Sequence, residues 1–246
     1  MQNSLNRTAI VTGASRGIGA AIARRLANDG FHVIVNYARS EQAAQDVVSD
    51  IQSQGGQAVA IQADVSDSAS VQEMFDTAES VFGGVDVLVN NAGIMKLASI
   101  EECEDESFDA QVAVNFRGTF NTLREAGKRL RDDGRIINLS TTVVGMKFEK
   151  YGIYAGIKAA VETMTAIMAK EMRGRNITVN AVAPGPTATD LFLDGKPDEL
   201  VEKLSKAPPL ERLATPDDIA SVVSFLAGPD GSWINGQTIR ANGGMV

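Results

Sequence analysis

Short runs of β-branched and aliphatic residues alternate along the chain with longer stretches whose apolar positions recur three or four apart. Thr8 to Val11 predicts a strand, and Gly17 to Asp29 a helix that stops near Gly30. Phe31 to Tyr37 predicts a second strand, Ser40 to Gln54 a polar helix ended by Gly55-Gly56, and Ala58 to Gln62 a third strand. Ser68 to Phe82 predicts a helix closed by Gly83-Gly84, and Val85 to Asn90 a fourth strand. A long helix over Glu106 to Leu130 precedes a fifth strand from Arg135 to Ser140. Another, over Tyr154 to Arg173, leads into a sixth strand from Thr178 to Ala183. Pro216 to Ala227 predicts a late helix and Gln237 to Arg240 the last strand.

The strand runs are continuously apolar rather than alternating, which is the pattern of parallel strands covered on both faces. Repeated strand–helix units of this kind imply an α/β architecture, a doubly wound parallel sheet of about seven strands. No Pro/Ser-rich linker, charge block or short repeat divides the chain, so one domain over residues 1–246 is the simplest reading.

Composition narrows the chemistry. Lys and Arg number 23 against 31 Asp and Glu, a net charge of −8, which argues against nucleic acid and anionic membrane surfaces as partners. A single Cys (Cys103) and a single His (His32) exclude an internal disulfide, a His-based triad and a structural zinc site, and no metal is expected. Met1 to Arg7 is short and polar, without the apolar centre of a signal peptide. No apolar run reaches the roughly 18 to 20 residues that span a bilayer. The expected location is the cytoplasm.

The first strand runs directly into Thr12-Gly13-Ala14-Ser15-Arg16-Gly17-Ile18-Gly19 and a helix. Gly13 can make a tight turn, Gly17 lets backbone approach a pyrophosphate, and Gly19 permits close packing of helix on strand. The helix start offers N–H groups and a positive dipole end to phosphates. A dinucleotide site selective for NAD usually has an acid at the end of the second strand for the ribose 2′-hydroxyl. Here that end reads Asn36-Tyr37-Ala38-Arg39-Ser40, with no carboxylate before Glu41. Arg16 and Arg39 are placed to meet a 2′-phosphate, so NADP(H) is the expected cofactor.

Without histidine, acid–base work falls to Tyr, Lys and carboxylates. Tyr154 and Lys158 are four apart at a helix start and share one face. A neighbouring ammonium favours phenolate and is expected to lower the tyrosine pKa. Alone, Tyr-x-x-x-Lys is a common surface pair; beside the glycine loop it gains meaning.

The chain resembles the short-chain dehydrogenase/reductase family over essentially its full length. The matching elements are Thr12 to Gly19, Asp64-Val65, Asn90-Asn91-Ala92-Gly93, Asn115, Ser140-Thr141, Tyr154-x-x-x-Lys158 and Pro184-Gly185, in that order. Within the family it is similar to 3-oxoacyl-acyl-carrier-protein reductases, polyhydroxynaphthalene reductases and glucose dehydrogenases, and the stretch Ala183 to Asp190 with the ending Asn242-Gly243-Gly244 leans towards the naphthol-reductase branch. The resemblance implies a Rossmann-type fold, hydride transfer between NADP(H) and a carbonyl or secondary alcohol, and a substrate loop over about residues 186 to 212. It implies that Tyr154 donates a proton to the carbonyl oxygen, that Lys158 holds the ribose hydroxyls, and that Asn115 anchors a water chain. Asp64 and Val65 would meet the adenine, Asn91 to Gly93 the adenosine ribose, and Pro184, Gly185, Thr187 and Thr189 the nicotinamide carboxamide. The family places a hydroxyl donor, normally Ser, at the end of the fifth strand. Thr141 stands at the usual spacing, thirteen before Tyr154, whereas Ser140, fourteen before it, has the usual residue type. Successive strand residues point to opposite faces, and the choice stays open here.

Ligands of such sheets bind beyond the carboxyl ends of the strands. The segments there carry Ile94, Met95 and Leu97; Val143, Met146 and Phe148; and Leu191, Phe192 and Leu193, with Lys147 and Lys150 nearby. That lining suits an apolar or aromatic ketone better than a free sugar. A subunit contact or lid would use the same residues. Basic residues close two helices, at Lys128, Arg129 and Arg131 and at Arg173 and Arg175. An acidic acyl-carrier protein would fit them, but the helix dipole accounts for cations there and is the preferred explanation. Small residues such as Ala155, Gly156 and Ala159 allow close helix approach, and family resemblance implies a homotetramer. Two function classes follow: a carbonyl reductase or alcohol dehydrogenase, sugar dehydrogenases included, and a non-catalytic NADP-binding regulator on the same fold. A regulator has no need of the Asn–Ser/Thr–Tyr–Lys set, which favours the enzyme.

Overall fold

A computed structural model of the chain describes residues 7–246. The polar start expected over Met1 to Arg7 therefore lies, except for Arg7, outside the described residues. Seven parallel strands form one sheet in the order β3-β2-β1-β4-β5-β6-β7. They are β1 (Thr8–Val11), β2 (His32–Tyr37), β3 (Ala58–Gln62), β4 (Val85–Asn90), β5 (Leu130–Leu139), β6 (Thr178–Pro184) and β7 (Thr238–Ala241). The order reverses between β1 and β4, and at such a switch point a crevice opens beyond the strand ends.

The continuous apolar runs are explained by helices on both faces. On one side α1 (Gly17–Asn28), α2 (Glu41–Ser53) and α10 (Pro216–Ala227) bury Ile22, Leu26, Val47 and Val223 against Val11, Val33 and Val87. On the other side α3 (Ser68–Phe82), α5 (Gly118–Arg129) and α7 (Gly152–Glu171) bury Phe75, Leu123 and Met168 against Ile10, Ile34 and Leu88. Alternate strand residues thus serve opposite cores. Local chemistry sets the helix ends. Asp67 caps α3 by accepting from Ala69 N and Ser70 N, and Gly83 ends it at φ +80°. Thr215 and Asp218 form a reciprocal capping box on α10.

Three segments differ from the sequence expectation. The long helix over Glu106 to Leu130 is three pieces: α4 (Asp105–Gln111), a π-helical turn (Val112–Arg117) and α5. Asn115 sits in that turn, fully buried, and each side-chain amide atom bonds the backbone of Ile94 at 2.8 Å. The residue that interrupts the helix is thus the one tying it to the loop after β4. Next, β5 starts at Leu130 rather than Arg135, with a shift of register between Val85 and Val87 and Asp133 at φ +64°. Finally, short helices α6 (Val143–Met146), α8 (Asp190–Leu193) and α9 (Asp198–Ser205) occupy segments expected to be loops.

Four of the five basic residues at the helix ends are internally matched, and Arg173 is exposed. Arg129 bonds Glu79 and Asp76, Arg131 pairs with Asp86, Lys128 with Glu125 and Arg175 with Asp132. No helix among the described residues is long and apolar enough to cross a membrane.

Candidate active site

The glycine loop is shaped by contact and held by side chains. Gly13 (φ +61°) and Gly17 (φ +55°) occupy the left-handed region that favours glycine. A Cβ on Gly19 would stand 2.4 Å from both Asn91 Nδ2 and Gly13 O, so only glycine lets α1 pack this closely. Thr12 Oγ1 accepts from Asn91 N and Ala92 N, while Asn91 Nδ2 donates to Thr12 O and Gly13 O. Asn36 contributes from below: its Oδ1 accepts from Gly13 N at 3.1 Å and its Nδ2 donates to Ala63 O at 3.0 Å. Asn36, expected among the cofactor-binding residues, is buried with its side chain committed to backbone, so it shapes the loop from beneath. Tyr37 is likewise buried, whereas Ala38, Arg39 and Ser40 just beyond it are exposed, and of these only Arg39 carries a charge.

α1 begins with neither a side-chain cap nor an acid in its first turn among the described residues. Its first-turn N–H groups and the exposed Arg16, which lines the cavity, could therefore hold an anion. Ser15 and Ile18 beside them are half-buried. These features fit a dinucleotide pyrophosphate, and the lack of a carboxylate at the β2 end fits a 2′-phosphate. Asp64 closes its own turn by accepting from Ser66 N and Ser66 Oγ, and Val65 is buried under Gly118.

A cavity of about 1240 Å³ opens beyond the ends of β1, β4, β5 and β6. It brings together Arg16, Ile18, Asn91 and Gly93 from the cofactor side with Ser140, Thr141, Tyr154 and Lys158. Pro184, Gly185, Thr187 and Thr189 form its third wall. Thr187 is buried and donates to Gly185 O, and Thr189 caps α8 by accepting from Phe192 N. Met95, Leu97, Val143, Phe148 and Leu191 to Leu193 line the wall as expected, as does Lys150, whereas Ile94, Met146 and Lys147 do not. Sequence reasoning missed Tyr151, Lys196, Leu200, Leu204 and Met245 on this wall. The helical pattern of 198–205, with leucines four apart, was the available signal for two of them.

Tyr154 and Lys158 lie in the first two turns of α7. Lys158 is buried and donates from Nζ to Leu139 O at 2.6 Å, with its ammonium 5.8 Å from the Tyr154 ring centroid. The expected lowering of the tyrosine pKa is corrected: burial, with Tyr151 adding, pushes Tyr154 up to about 12, and burial pushes Lys158 down to about 8. Removing water disfavours both charged forms, and the ammonium stacks over the ring while bonded elsewhere. Tyr154 is thus a proton donor across the neutral range.

The hydroxyls at the end of β5 have different surroundings. Ser140 is buried and donates to Glu162 Oε1 at 2.5 Å. Thr141 is half-buried, and its Oγ1 accepts from Val143 N at 3.3 Å. Glu162, four residues after Lys158 on the same helix face, was not singled out from sequence.

Residues 13–246 match the family model described as enoyl-(acyl carrier protein) reductase. A short-chain type dehydrogenase/reductase of Picea abies is 45% identical, over 98% of this chain and 92% of that one. An Arabidopsis thaliana NADPH-dependent aldehyde reductase-like protein, chloroplastic, is also 45% identical, over 98% and 94%. The crystal structure of a short chain dehydrogenase from Burkholderia cenocepacia J2315 in complex with NADP superposes with a TM-score of 0.92 at 38% identity, covering 99% of each chain. The chain belongs to the short-chain dehydrogenase/reductase family.

Proposed function

We propose that this protein is an NADP(H)-dependent oxidoreductase that reduces the carbonyl of an apolar or aromatic ketone to a secondary alcohol, with Tyr154 as general acid. One observation carries the reading. Tyr154, protonated through the neutral range, lies with a pinned Lys158 at a cavity whose walls include both glycine-loop residues and the hydroxyls that follow β5.

Gly13, Gly17, Gly19 and the start of α1 would hold the pyrophosphate, Arg16 and Arg39 the 2′-phosphate, and Lys158 the ribose hydroxyls. Held there, the dinucleotide would supply hydride to the carbonyl carbon. As the C=O bond becomes C–O, Tyr154 Oη transfers its proton to the oxygen, and solvent later returns one to the phenolate. The positive charge of Lys158 stabilises that phenolate, which burial alone disfavours. Leu139 O keeps Lys158 in place for this. Met95, Leu97, Phe148 and Phe192 exclude water and favour an apolar substrate over a sugar. Exposed Phe108, Phe116, Phe120 and Trp233 support assembly as a homotetramer, and the cytoplasm remains the proposed compartment.

Tyr154→Phe tests the role. NADPH binding, read by fluorescence, is expected to stay within about twofold, while ketone turnover falls at least about a hundredfold. Undiminished turnover would overturn the assignment.

A further inference from the structure

We propose that Glu162 is a positioning residue that commits Ser140 to structure, leaving Thr141 as the hydroxyl that bonds the substrate oxygen. The inference rests on the carbonyl-reductase reading and concerns which atom holds the carbonyl.

A serine or threonine hydroxyl has one proton to donate. Ser140 gives its proton to Glu162, an acceptor without a proton of its own when ionised. At 2.5 Å this bond is at the short end of the range for a hydroxyl donor. Thr141 stands the other way round. Its Oγ1 accepts from Val143 N at the start of α6, and its own proton has no acceptor among the described residues. It lines the cavity with Tyr154 and is more open than Ser140. A donor without a partner at the cavity surface is what a developing oxyanion requires.

The strand geometry agrees. Asn138 near the end of β5 and Ser140 just beyond it both bond α7, through Thr165 and Glu162 respectively. Between them Leu139 O receives Lys158. Three consecutive residues, the last two of β5 and Ser140 just after it, are thus fastened to three successive turns of α7, which fixes where the chain leaves the strand next to Thr141. Glu162 acts through this fastening and does not itself line the cavity.

The test combines variants with one structure. T141V is expected to lower kcat at least about a hundredfold, with KM for NADPH within about twofold. S140A and E162A should each lower kcat about fivefold, and the double variant should lose no more than either alone, since both break one bond. E162Q, whose amide oxygen still accepts from Ser140, should recover most of the E162A loss. S140A as damaging as T141V, additive S140A and E162A losses, or E162Q no better than E162A would each overturn the proposal. A crystal structure of the wild-type NADP+ complex decides independently of turnover. Ser140 Oγ on Glu162 with Thr141 facing the nicotinamide supports it, and Ser140 turned to the nicotinamide refutes it. Wild-type enzyme that binds NADPH but reduces no ketone would instead refute the carbonyl-reductase reading, with the hydroxyl still decided by the crystal.

Discussion

Replacing Lys158 by Met should change how stability depends on pH. The folded protein lowers the ammonium pKa from 10.5 to about 8, through burial. The unfolded chain holds this proton up to the ordinary lysine value, whereas the folded one releases it near 8. Between those values the unfolded state binds more protons, so stability rises with pH. Below the window the buried charge costs about 3 kcal/mol, at about 1.4 kcal/mol per tenfold change in proton affinity. Moving from pH 7 to 9.5 relieves about 2 kcal/mol of it, a contribution that K158M lacks. The variant leaves Leu139 O without its partner at a cost of about 1–3 kcal/mol, equal at both pH values and so absent from the comparison. Tyr154, pushed up to about 12, keeps its proton throughout in both folded proteins. Urea unfolding of wild type and K158M at the two pH values gives four free energies. Their double difference should be about 2 kcal/mol in favour of wild type at high pH. Curves that move in parallel would show that Lys158 is not desolvated as its surroundings require.

Gly19→Ala places a methyl 2.4 Å from Asn91 Nδ2 and Gly13 O, and should destabilise by about 2 kcal/mol while weakening NADPH binding, as read by denaturation and fluorescence titration. Arg16→Ala should raise the Kd for NADPH about tenfold and leave that for NADH within about twofold, because only the former carries the 2′-phosphate; an equal effect on both would remove the argument for cofactor choice. At saturating ketone, kcat/KM for NADPH in the reduction direction reports the free enzyme. It should fall above about pH 8 as Lys158 loses its charge, and a profile flat to pH 10 would contradict that role.

The strands were legible because burial on both faces leaves continuous apolar runs; six match their expected bounds to within a residue, and β5 begins five residues early, in the polar stretch Arg131 to Gly134 that carries no apolar run. The glycine loop was legible because it depends on local backbone sterics, which glycine spacing reports directly. The hidden features depend on partners far away in sequence. Nothing near Asn36 announces that its amide is needed under Gly13 and beside Ala63. Residue type gave Tyr154 a titratable group, but its pKa is set by the density of protein around it, and there local reasoning gave the wrong sign. The choice between Ser140 and Thr141 turns on Glu162, twenty-two residues beyond Ser140. The π-helical turn was visible only as an awkward Asn in a helical pattern.

Committed and uncommitted polar groups together mark out the site. Beneath it, Thr122 donates to Asn90, Asn90 to Asn138 and Asn138 to Thr165, a buried chain that joins α5, β4, β5 and α7 with each side chain partnered. Such a network is stabilising only when satisfied, and it rigidifies what it connects. Around the cofactor loop Thr12, Asn36 and Asn91 do the same for backbone. Against this background, four donors without a protein acceptor among the described residues converge on the cavity: the first turn of α1, the guanidinium of Arg16, the Thr141 hydroxyl and the Tyr154 phenol. Ser140, Asn115 and Asn36 close by are committed to protein partners. The convergence of donors beside Lys158 at one end of the sheet, where an anion and a carbonyl oxygen would each need them, supports the reductase reading on geometry as well as on family membership.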